Sequence, residues 1–367
     1  MSLDDKFMDE AIALAAKATG RTWPNPLVGC VIVKNGDVIG RGYHAQPGGD
    51  HAEVAAIKDS LANGADPAGA IAYVTLEPCN HIGRTGPCSE ALINAGVTEV
   101  VFAIDDPNPQ AAGGAERLRM AGVNVRKGPR SEQAAALNRA WLHSQQRNRP
   151  LVTAKVAMSL DGRIATHAGN SKWLTGPKAR RRGHELRKRS DAILVGAGTI
   201  QADDPSLTAR LDEETISPIR IVLDSSGATS PGAKAYERSG RGAILATTER
   251  LRPTRARQFE EIGVDVLVLA QNAEGRVDLH DLIGALHAKE IRSVMIEGGG
   301  RVLGAFLDAD LIDELWLFYA PVLLGGGAPG FDGVGVASIA DAAGFTFEPP
   351  EMLDRDIFVR GRRNRNT

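Results

Sequence analysis

The feature that most constrains this chain is a set of three residues that can hold one metal ion. They are His51, at the start of a His-Ala-Glu triplet, Cys79, which follows Pro78, and Cys88. One imidazole and two thiolates make three ligands, whereas structural zinc sites usually have four. A three-ligand zinc site leaves one position to water, which is typical of hydrolytic catalysis. The fold must therefore bring residues 51, 79 and 88 together.

Glu53 lies two residues after His51, where a carboxylate can stand beside the bound water and carry protons. The order His-x-Glu followed by Pro-Cys-x-x-Cys is typical of zinc deaminases, in which the glutamate is not a metal ligand. Here the second cysteine, Cys88, follows Cys79 by nine positions (88 minus 79) rather than three. We expect the longer segment between the cysteines to form a loop that contacts substrate.

Taken singly, these residues have simpler explanations. His51 could be a surface histidine, and free cysteines often behave as small buried apolar residues. However, the chain has only three cysteines and two of them fall in the pattern, which favours the metal site. The third, Cys30, lies in the apolar run 28–33 and is predicted to be a core strand residue with no chemical role.

Length and composition limit the classes of function. The chain has 367 residues, which suggests about two domains, and a net charge of −2, which does not favour a nucleic-acid partner. No signal-peptide core is visible near the acidic start, and the longest apolar runs are too short to cross a bilayer. Few cysteines, two of them needed as thiolates, indicate a reducing compartment. The sequence predicts a cytoplasmic protein with a small-molecule partner.

The first half alternates between predicted helices and strands. An amphipathic helix opens the chain, and Asn35-Gly36 predicts a tight hairpin between the β-rich runs 27–33 and 38–43. A helix is expected from His51, a strand over 70–76, a helix from Cys88, and then strand 99–104, helix 113–120 and a strand near 123. The metal ligands would then lie at strand exits and helix starts, where sites in α/β sheets are usually found. The pattern predicts an α/β/α sandwich.

The second half is predicted to be a separate α/β domain. A polar stretch without periodicity, 144–150, marks the boundary, and it gives domains of 1–146 and 147–367. Strand-like runs alternate with helical segments after it, which predicts another α/β sheet. These runs are 151–157, 192–195, 219–223, 243–247, 264–269, 293–296 and 314–319.

Two glycine clusters in the second half, 195–199 and 297–301, can bind phosphate or can simply form tight turns. Neither matches G-x-G-x-x-G after the first strand of its domain, so a Rossmann fingerprint is excluded. No tyrosine has a lysine four positions later, which argues against a short-chain dehydrogenase.

The first half resembles the riboflavin-biosynthesis pyrimidine deaminases in three segments, 24–29, 51–53 and 75–88, of which the last includes the long loop between the cysteines. The resemblance implies a cytidine-deaminase-like α/β/α fold, with zinc on His51, Cys79 and Cys88 and with Glu53 as the proton shuttle. It also implies contacts to the pyrimidine ring or its ribose phosphate from Asn25, His44, His81 and Arg84. Asn25 could equally satisfy a turn, the two histidines could be ordinary loop residues, and Arg84 could be a surface residue.

The second half resembles the reductases of the same pathway, in segments 155–165, 171–175 and 201–210, and their fold is dihydrofolate-reductase-like. The two resemblances cover nearly the whole chain, joined as in the bifunctional bacterial enzymes of this pathway. They imply that NADPH lies against Ala157, Asp161, Trp173, Thr199, Asp203, Ser225 and the backbone from Gly299 through Gly300 and Arg301 to Ala305. Substrate would contact Lys155, Ser171, Arg187, Leu207, Arg210 and Glu297.

Chemistry assigns roles to some of these residues. Hydride transfer to a ribose carbon needs a donor to the developing negative charge, and Lys155 is the natural one. Asp203 and Glu297 are the candidate orienting or proton-relaying carboxylates, although an aspartate in Asp-Asp-Pro is ordinarily a turn residue. The sequence does not rank the two carboxylates.

The resemblance implies a two-step activity. The first domain would hydrolytically deaminate 2,5-diamino-6-(5-phosphoribosylamino)pyrimidin-4(3H)-one with zinc hydroxide as the nucleophile. The second would use NADPH to reduce the ribosyl side chain of 5-amino-6-(5-phosphoribosylamino)uracil to ribityl. The family also implies a homodimer formed through the reductase domain.

Two other functions stay open on the sequence alone. A nucleic-acid base deaminase shares the zinc motif and would bind RNA or DNA with a steep dependence on salt. A zinc-stabilised binding module would need a fourth protein ligand, such as His81 or His44, and would leave Glu53 without a role.

Two basic segments are expected to be peripheral. In the run 178–189 only Arg187 is assigned a function, at the substrate phosphate together with Arg210, and the rest is predicted to be an exposed and replaceable helix face. The C-terminal residues 360–367 are predicted to be a loose tail after a final strand.

Overall fold

A computed structural model describes residues 2–81, 86–211 and 214–365, and it divides into two compact units, Met1–Asn148 and Arg149–Thr367. Among the helices in these ranges, none combines the length and the apolar character needed to cross a membrane. Residues 144–147 were expected to be irregular, but they complete a helix. The polar connection is therefore shorter than the sequence suggests.

The first unit contains six helices and five strands in its described part. In chain order they are α1 (Leu3–Ala16), β1 (Gly29–Lys34), β2 (Asp37–Tyr43), α2 (Ala52–Ala62), β3 (Ile71–Val74), α3 (Cys88–Asn94), β4 (Glu99–Phe102), α4 (Gly114–Met120), β5 (Asn124–Lys127), α5 (Ser131–Leu137) and α6 (Arg139–Arg147). The strands form one sheet in the order β2-β1-β3-β4-β5. Strand β1 is antiparallel to both β2 and β3, whereas β3, β4 and β5 run parallel.

The predicted hairpin and the predicted sandwich are both confirmed. Asn35 and Gly36 have φ values of 54° and 85°, as the tight turn between two twisted strands requires. Side chains of α2, α3 and α4 pack on one face of the sheet, and those of α1 and α5 pack on the other. Alternate residues of β1 supply the two cores, with Ile32 in the first and Val31 in the second, since side chains of a strand point to alternate faces.

The second unit is built on a large mixed sheet. Its elements are β6 (Leu151–Ser159), β7 (Arg163–Ala165), α7 (Pro177–Arg189), β8 (Ala192–Gly196), α8 (Ala197–Asp203), β9 (Ala209–Leu211), β10 (Glu214–Ile216), β11 (Ile219–Leu223), β12 (Ala243–Thr247), α9 (Pro253–Glu261), β13 (Asp265–Val268), α10 (Leu279–Ala288), β14 (Ser293–Glu297), α11 (Gly300–Asp308), β15 (Glu314–Ala320), β16 (Ala328–Pro329), β17 (Phe345–Phe347), β18 (Glu351–Leu353) and β19 (Asp356–Arg363). Two short 3-10 helices, Lys234–Tyr236 and Ile339–Asp341, complete the set.

The large sheet has the order β13-β12-β11-β8-β14-β6-β15-β19-β17, with β18 also paired to β19. The strands from β13 to β15 in this order are parallel, and they are the seven strands that the sequence predicts. Strands β17, β18 and β19 add an antiparallel edge. Parallel strands that follow one another through helices place their carboxyl ends along one edge, where the glycine clusters lie.

The expectation that residues 360–367 form a loose tail is wrong for the described part of that segment. Residues 360–363 belong to β19, and the Arg360 guanidinium lies 5.8 Å from the centre of the Trp316 ring. Arg365 binds the Asp313 carboxylate. The final strand was predicted, but the hydrophobic pattern did not show that it continues into these charged residues, whose partners lie about fifty positions away in the chain.

The expectation that the basic helix α7 is exposed apart from Arg187 is wrong for one face of the helix, and its tolerance of substitution stays a prediction. Leu186 and Ala179 are buried, so one face of the helix packs into the unit. Arg182 forms two hydrogen bonds of 2.9 Å to Glu351, and Arg180 donates to the Thr175 carbonyl. Several of these arginines therefore join α7 to other parts of the unit.

Asp313 connects the start of the second unit to its end. Its buried carboxylate accepts hydrogen bonds from Arg149, at 2.9 and 2.5 Å, from the Val152 amide at 2.9 Å, and from Arg365. We expect Asp313→Ala to remove the carboxylate that these two arginines share and to destabilise the unit by about 3 kcal/mol. Thermal unfolding of the full chain checks this, with Asp341→Ala, at an exposed position, as the control. Equal melting temperatures for the two variants would contradict it.

Candidate active sites

The predicted metal ligands come together in the first unit. His51 precedes α2, Cys79 follows β3 by a few residues, and Cys88 is the first residue of α3. The His51 Nδ1 atom lies 3.2 Å from the Cys88 sulfur and 3.6 Å from the Cys79 sulfur. The three ligand atoms all lie within 4.8 Å of one another.

These distances and the donor types suit zinc. Zinc bonds of about 2.3 Å to sulfur and 2.1 Å to nitrogen place tetrahedral ligands about 3.5 Å apart. Two thiolates and an imidazole are ligands that zinc prefers. Within the described part of the chain no fourth histidine, cysteine or carboxylate joins the cluster. The geometry is that of a site with an open position.

The thiol chemistry of the cluster favours metal binding. The Cys88 S–H donates to the Cys79 sulfur, and this, against the opposing effect of burial, lowers the pKa of Cys79 to about 4. The pKa of Cys88 is raised well above its usual value, first by that same hydrogen bond and then by burial. One thiolate is therefore present at neutral pH before a metal arrives, and binding displaces the remaining proton.

Glu53 is in the first turn of α2 and is buried beside the ligands. Burial, followed by the charge of Cys79, raises the pKa of its carboxyl group to about 7. A carboxyl group with a pKa near neutrality can both accept and release a proton, as a general acid–base catalyst must. The carboxyl also lies within hydrogen-bonding reach of the Cys88 sulfur, so it lies at the cluster itself.

The predicted substrate contacts of this unit have different environments. His44 is buried, and its ring nitrogens bind within the protein: Nδ1 lies 3.1 Å from the Asp50 carbonyl and Nε2 lies 3.0 Å from the Asn25 amide nitrogen. Asn25 itself is exposed. His81 is half-buried, and its Nδ1 atom has no hydrogen-bond partner among the described residues. Arg84 lies outside the described residues.

Two acidic residues near the cluster were not predicted. Glu77 accepts hydrogen bonds from the main-chain amides of Asp106, at 3.3 Å, and Ala115, at 3.0 Å, so it ties the loop after β4 and the start of α4 to the segment that carries Cys79. Burial raises the pKa of Asp106 to about 6. The sequence contained a signal for both residues, because Glu77 and Asp106 each follow a parallel strand, at the edge of the sheet where functional sites usually form.

In the second unit, Lys155 and Glu297 meet in a buried ion pair. The Lys155 ammonium lies 3.1 Å from one Glu297 oxygen, and Arg187 donates to the other oxygen at 2.7 Å. Burial by itself would raise the pKa of Glu297, but Arg187 and Lys155 lower it to about 2. The carboxylate therefore stays ionised and holds both cations in place.

The glycine cluster 298–300 lies between β14 and α11, as predicted, and leads into the helix start. Gly298 and Gly299 have φ values of 91° and 80°, and a side chain at Gly300 would come within 2.3 Å of the Pro329 carbonyl. Thr199 borders this turn, because a Cβ atom placed on Gly299 would lie 3.4 Å from the Thr199 hydroxyl oxygen. The first amides of a helix are free to bind phosphate oxygens.

Other predicted residues are engaged with the protein. The Asp161 carboxylate accepts from the amides of Leu324 and Gly325 at 3.0 and 2.8 Å, so it anchors that turn. Asp203 forms an ion pair of 2.8 Å with Lys172. Trp173, next to Lys172, is 72% exposed. The two candidate carboxylates therefore have different partners. Asp203 pairs with Lys172, in the exposed segment that includes Trp173, whereas Glu297 pairs with Lys155.

The remaining predicted residues of this unit fall into two groups. Leu207 is almost completely buried, which leaves little of its surface for a substrate. Ser225 accepts at 3.1 Å from the Val277 amide. Those with accessible surface are Ala157, Ser171, Arg210 and Arg301.

Two family models match the chain, and they divide it as the fold does. The model for the cytidine and deoxycytidylate deaminase zinc-binding region matches residues 1–104. The model for the RibD C-terminal domain matches residues 150–356.

Relatives match over nearly the full length. The riboflavin biosynthesis protein RibD of Escherichia coli (strain K12) is 41% identical over 368 residues, covering 96% of this chain and 98% of the relative. The protein of the same name from Bacillus amyloliquefaciens is 39% identical over 360 residues, covering 97% and 95%.

Solved structures give the same result. Acinetobacter baumannii RibD superposes with a TM-score of 0.88 at 37% identity and 99% coverage of both chains. A Thermotoga maritima diaminohydroxyphosphoribosylaminopyrimidine deaminase/5-amino-6-(5-phosphoribosylamino)uracil reductase also has a TM-score of 0.88, at 35% identity and the same coverage.

The metal cluster predicts that substitutions of Cys79 and Cys30 affect zinc binding differently. Cys79→Ser should lower the zinc content of the purified chain from one per chain towards zero, because a hydroxyl is a much poorer zinc ligand than a thiolate. Cys30→Ala should keep the zinc, since burial raises the pKa of the Cys30 thiol and keeps it protonated. Elemental analysis of dialysed protein measures both. Retention of a full equivalent of zinc by Cys79→Ser would contradict the assignment.

Proposed function

Because the chain belongs to the RibD family of riboflavin biosynthesis proteins, which are bifunctional deaminase–reductases, we propose that residues 1–146 form the deaminase and 147–367 the reductase. The deaminase removes the amino group from 2,5-diamino-6-(5-phosphoribosylamino)pyrimidin-4(3H)-one. The reductase converts the ribosyl group of 5-amino-6-(5-phosphoribosylamino)uracil to ribityl. The observation that carries the first assignment is the buried Glu53 carboxyl beside three zinc ligand atoms.

In the deaminase, His51, Cys79 and Cys88 hold zinc, which supplies an activated water at neutral pH. Glu53 accepts a proton as water adds to the ring carbon and delivers it to a ring nitrogen. Glu53 then accepts the remaining proton from the hydroxyl on that carbon, which becomes the carbonyl as the carbon–nitrogen bond breaks, and transfers it to the amino group, which leaves as ammonia. The pKa of about 7 suits a group that takes up and releases protons in each cycle.

The Asn25 side chain orients the pyrimidine ring. His44 supports this role, because its Nδ1–H donates to the Asp50 carbonyl and its Nε2 accepts from the Asn25 amide. Burial lowers the pKa of His44, which keeps Nε2 free to accept. His81 and Arg84 belong to the loop between the cysteines and contact the ring or the ribose phosphate.

In the reductase, bound NADPH would supply the hydride that reduces C1 of the ribose in its open-chain form. Thr199 and the amides from Gly299 through Gly300 and Arg301 hold the cofactor phosphates, and Ala157, Asp161, Trp173, Asp203 and Ser225 complete the cofactor contacts. Lys155 donates a proton or a hydrogen bond to the charge that develops on the substrate. Glu297 holds the Lys155 ammonium in place through their 3.1 Å ion pair.

We assign the substrate phosphate mainly to Arg210. Arg187 already donates to Glu297 and to the Thr208 carbonyl, whereas Arg210 is exposed and has one nitrogen on the Thr208 hydroxyl. An exposed guanidinium can bind a phosphate through two hydrogen bonds. Ser171 and the main chain of Leu207 complete this pocket.

Two variants of the full chain separate the activities. Glu53→Gln should bind zinc but release ammonia at least a hundredfold more slowly, because an amide cannot carry the proton. The same protein should oxidise NADPH normally when it receives deaminated substrate. Lys155→Ala should show the opposite pattern, with normal ammonia release and NADPH oxidation slowed by about a hundredfold.

Each variant is thus the control for the other. Normal ammonia release by Glu53→Gln would remove Glu53 from the mechanism. Unchanged NADPH oxidation by Lys155→Ala would do the same for Lys155. Loss of both activities in either variant would mean that the two sites do not work independently.

We further propose that the chain forms a homodimer through the reductase unit. Several large apolar side chains between β15 and β17 are open to solvent, with exposed fractions of 73% for Leu323, 96% for Val334 and 94% for Ile339. Exposed apolar groups of this kind are typical of interfaces. The three cysteines are free thiols, which suits an enzyme of the cytoplasm.

The dimer proposal predicts that Ile339→Asp shifts the molar mass in light scattering towards a single chain of 38.9 kDa, because a carboxylate is costly in an apolar interface. Leu61→Asp is a matched control, since Leu61 is also exposed, at 58%, but lies in the deaminase unit. It should leave the mass at that of two chains. A single-chain mass for the unaltered protein would contradict the dimer.

A further inference from the structure

The strand that carries Arg210 is not part of the large sheet. β9 forms a separate two-stranded sheet with β10, in which Arg210 pairs with Thr215. The position of β9 relative to Lys155 and Glu297 is therefore set by contacts other than the main ladder of strands.

Two side chains of α7 supply such contacts. The main-chain amide of Arg210 donates to His184 Nδ1 at 3.2 Å, and Arg187 donates to the Thr208 carbonyl at 2.9 Å. His184 and Arg187 are three residues apart, so they project from the same side of the helix. They contact the main chain on either side of Ala209, the first residue of β9.

The same helix also passes close to the reductase ion pair. A side chain at Gly183 would lie 3.6 Å from Lys155 Cε and 4.0 Å from its ammonium nitrogen. Arg187, from the next turn, binds Glu297. Helix α7 therefore contacts Lys155, Glu297 and the segment that leads into β9. The side chain of His184 makes its contact to the main chain of Arg210.

The protonation state of His184 fits this role. A ring nitrogen that accepts a hydrogen bond carries no proton, so the proton of the neutral ring is on Nε2. Burial, assisted by the charges of Arg187 and Arg210, lowers the pKa of His184 to about 4. The ring is neutral at physiological pH, and Nδ1 remains an acceptor.

We propose that His184 is a positioning residue of the reductase, which holds the main chain of Arg210 so that its guanidinium meets the phosphate of the substrate. This inference rests on the proposed function, in which Arg210 binds that phosphate. His184 need not touch the substrate or the cofactor. Its loss should therefore weaken substrate binding and leave the hydride step and NADPH binding largely unchanged.

The test compares His184→Ala with His184→Asn in the full chain. Asparagine can place its side-chain oxygen near the position of Nδ1, so it can accept the same hydrogen bond, whereas alanine cannot. The KM for deaminated substrate should rise about tenfold in His184→Ala, which corresponds to about 1.4 kcal/mol, and His184→Asn should recover most of the loss. The value of kcat should change less than threefold.

Three further measurements distinguish positioning from a general structural effect. The dissociation constant of NADPH, from nicotinamide fluorescence, and the rate of ammonia release should both match those of the unaltered chain. In an Arg210→Ala background, His184→Ala should add little to KM, because no guanidinium remains to be placed. His280→Ala, at an exposed histidine of α10, is the control and should change nothing.

The outcomes separate this inference from the function on which it rests. If Arg210→Ala raises KM but His184→Ala does not, or if alanine and asparagine at 184 behave alike, the role of His184 is overturned and the reductase stands. If Arg210→Ala leaves KM unchanged, the assignment of the phosphate to Arg210 fails, and the inference fails with it. A parallel loss of NADPH binding in His184→Ala would also overturn positioning.

Discussion

The deaminase unit depends on one constraint: three ligand atoms from distant parts of the chain must stay within 4.8 Å of one another. The sheet achieves this because parallel strands end at a common edge and helices begin there. His51 and Cys88 are placed by the starts of two helices, and Cys79 by the exit of a strand. Glu77 then fixes the loop after β4 and the start of α4 through one main-chain amide of each. Packing of α2 and α3 against one face of the sheet thus has a direct chemical effect, since it sets the distance between an imidazole and two sulfurs.

The reductase unit solves a different electrostatic problem. The Lys155 ammonium is the donor that reduction of a carbonyl or imine needs, and it lies in a partly buried site, where an unpaired charge is costly. Glu297 pairs with it, and Arg187 in turn keeps Glu297 ionised. The three groups come from β6, β14 and α7, so the charge balance of the site is tied to the correct assembly of two strands with a helix.

Local signals made much of this structure predictable from the sequence. The Asn35-Gly36 turn, the helix beginning at Cys88 and the seven parallel strands follow from turn chemistry and hydrophobic pattern alone. The features that escaped prediction depend on distant partners. A final strand was predicted, but its arginine-rich end at residues 360–363 was not, because Arg360 pairs with Glu314, which is distant in the chain. Likewise, a histidine inside a basic run gives no hint that its ring nitrogen accepts from the amide of Arg210.

The confinement of all three metal ligands to residues 51–88 has a physiological consequence. Because the Lys155 and Glu297 pair is held by protein groups alone, scarcity of zinc would halt one reaction while the machinery of the other stayed intact. A cell deprived of the metal would accumulate the diamino compound rather than the uracil derivative. The ratio of those two compounds would then report on the zinc supply of the cell.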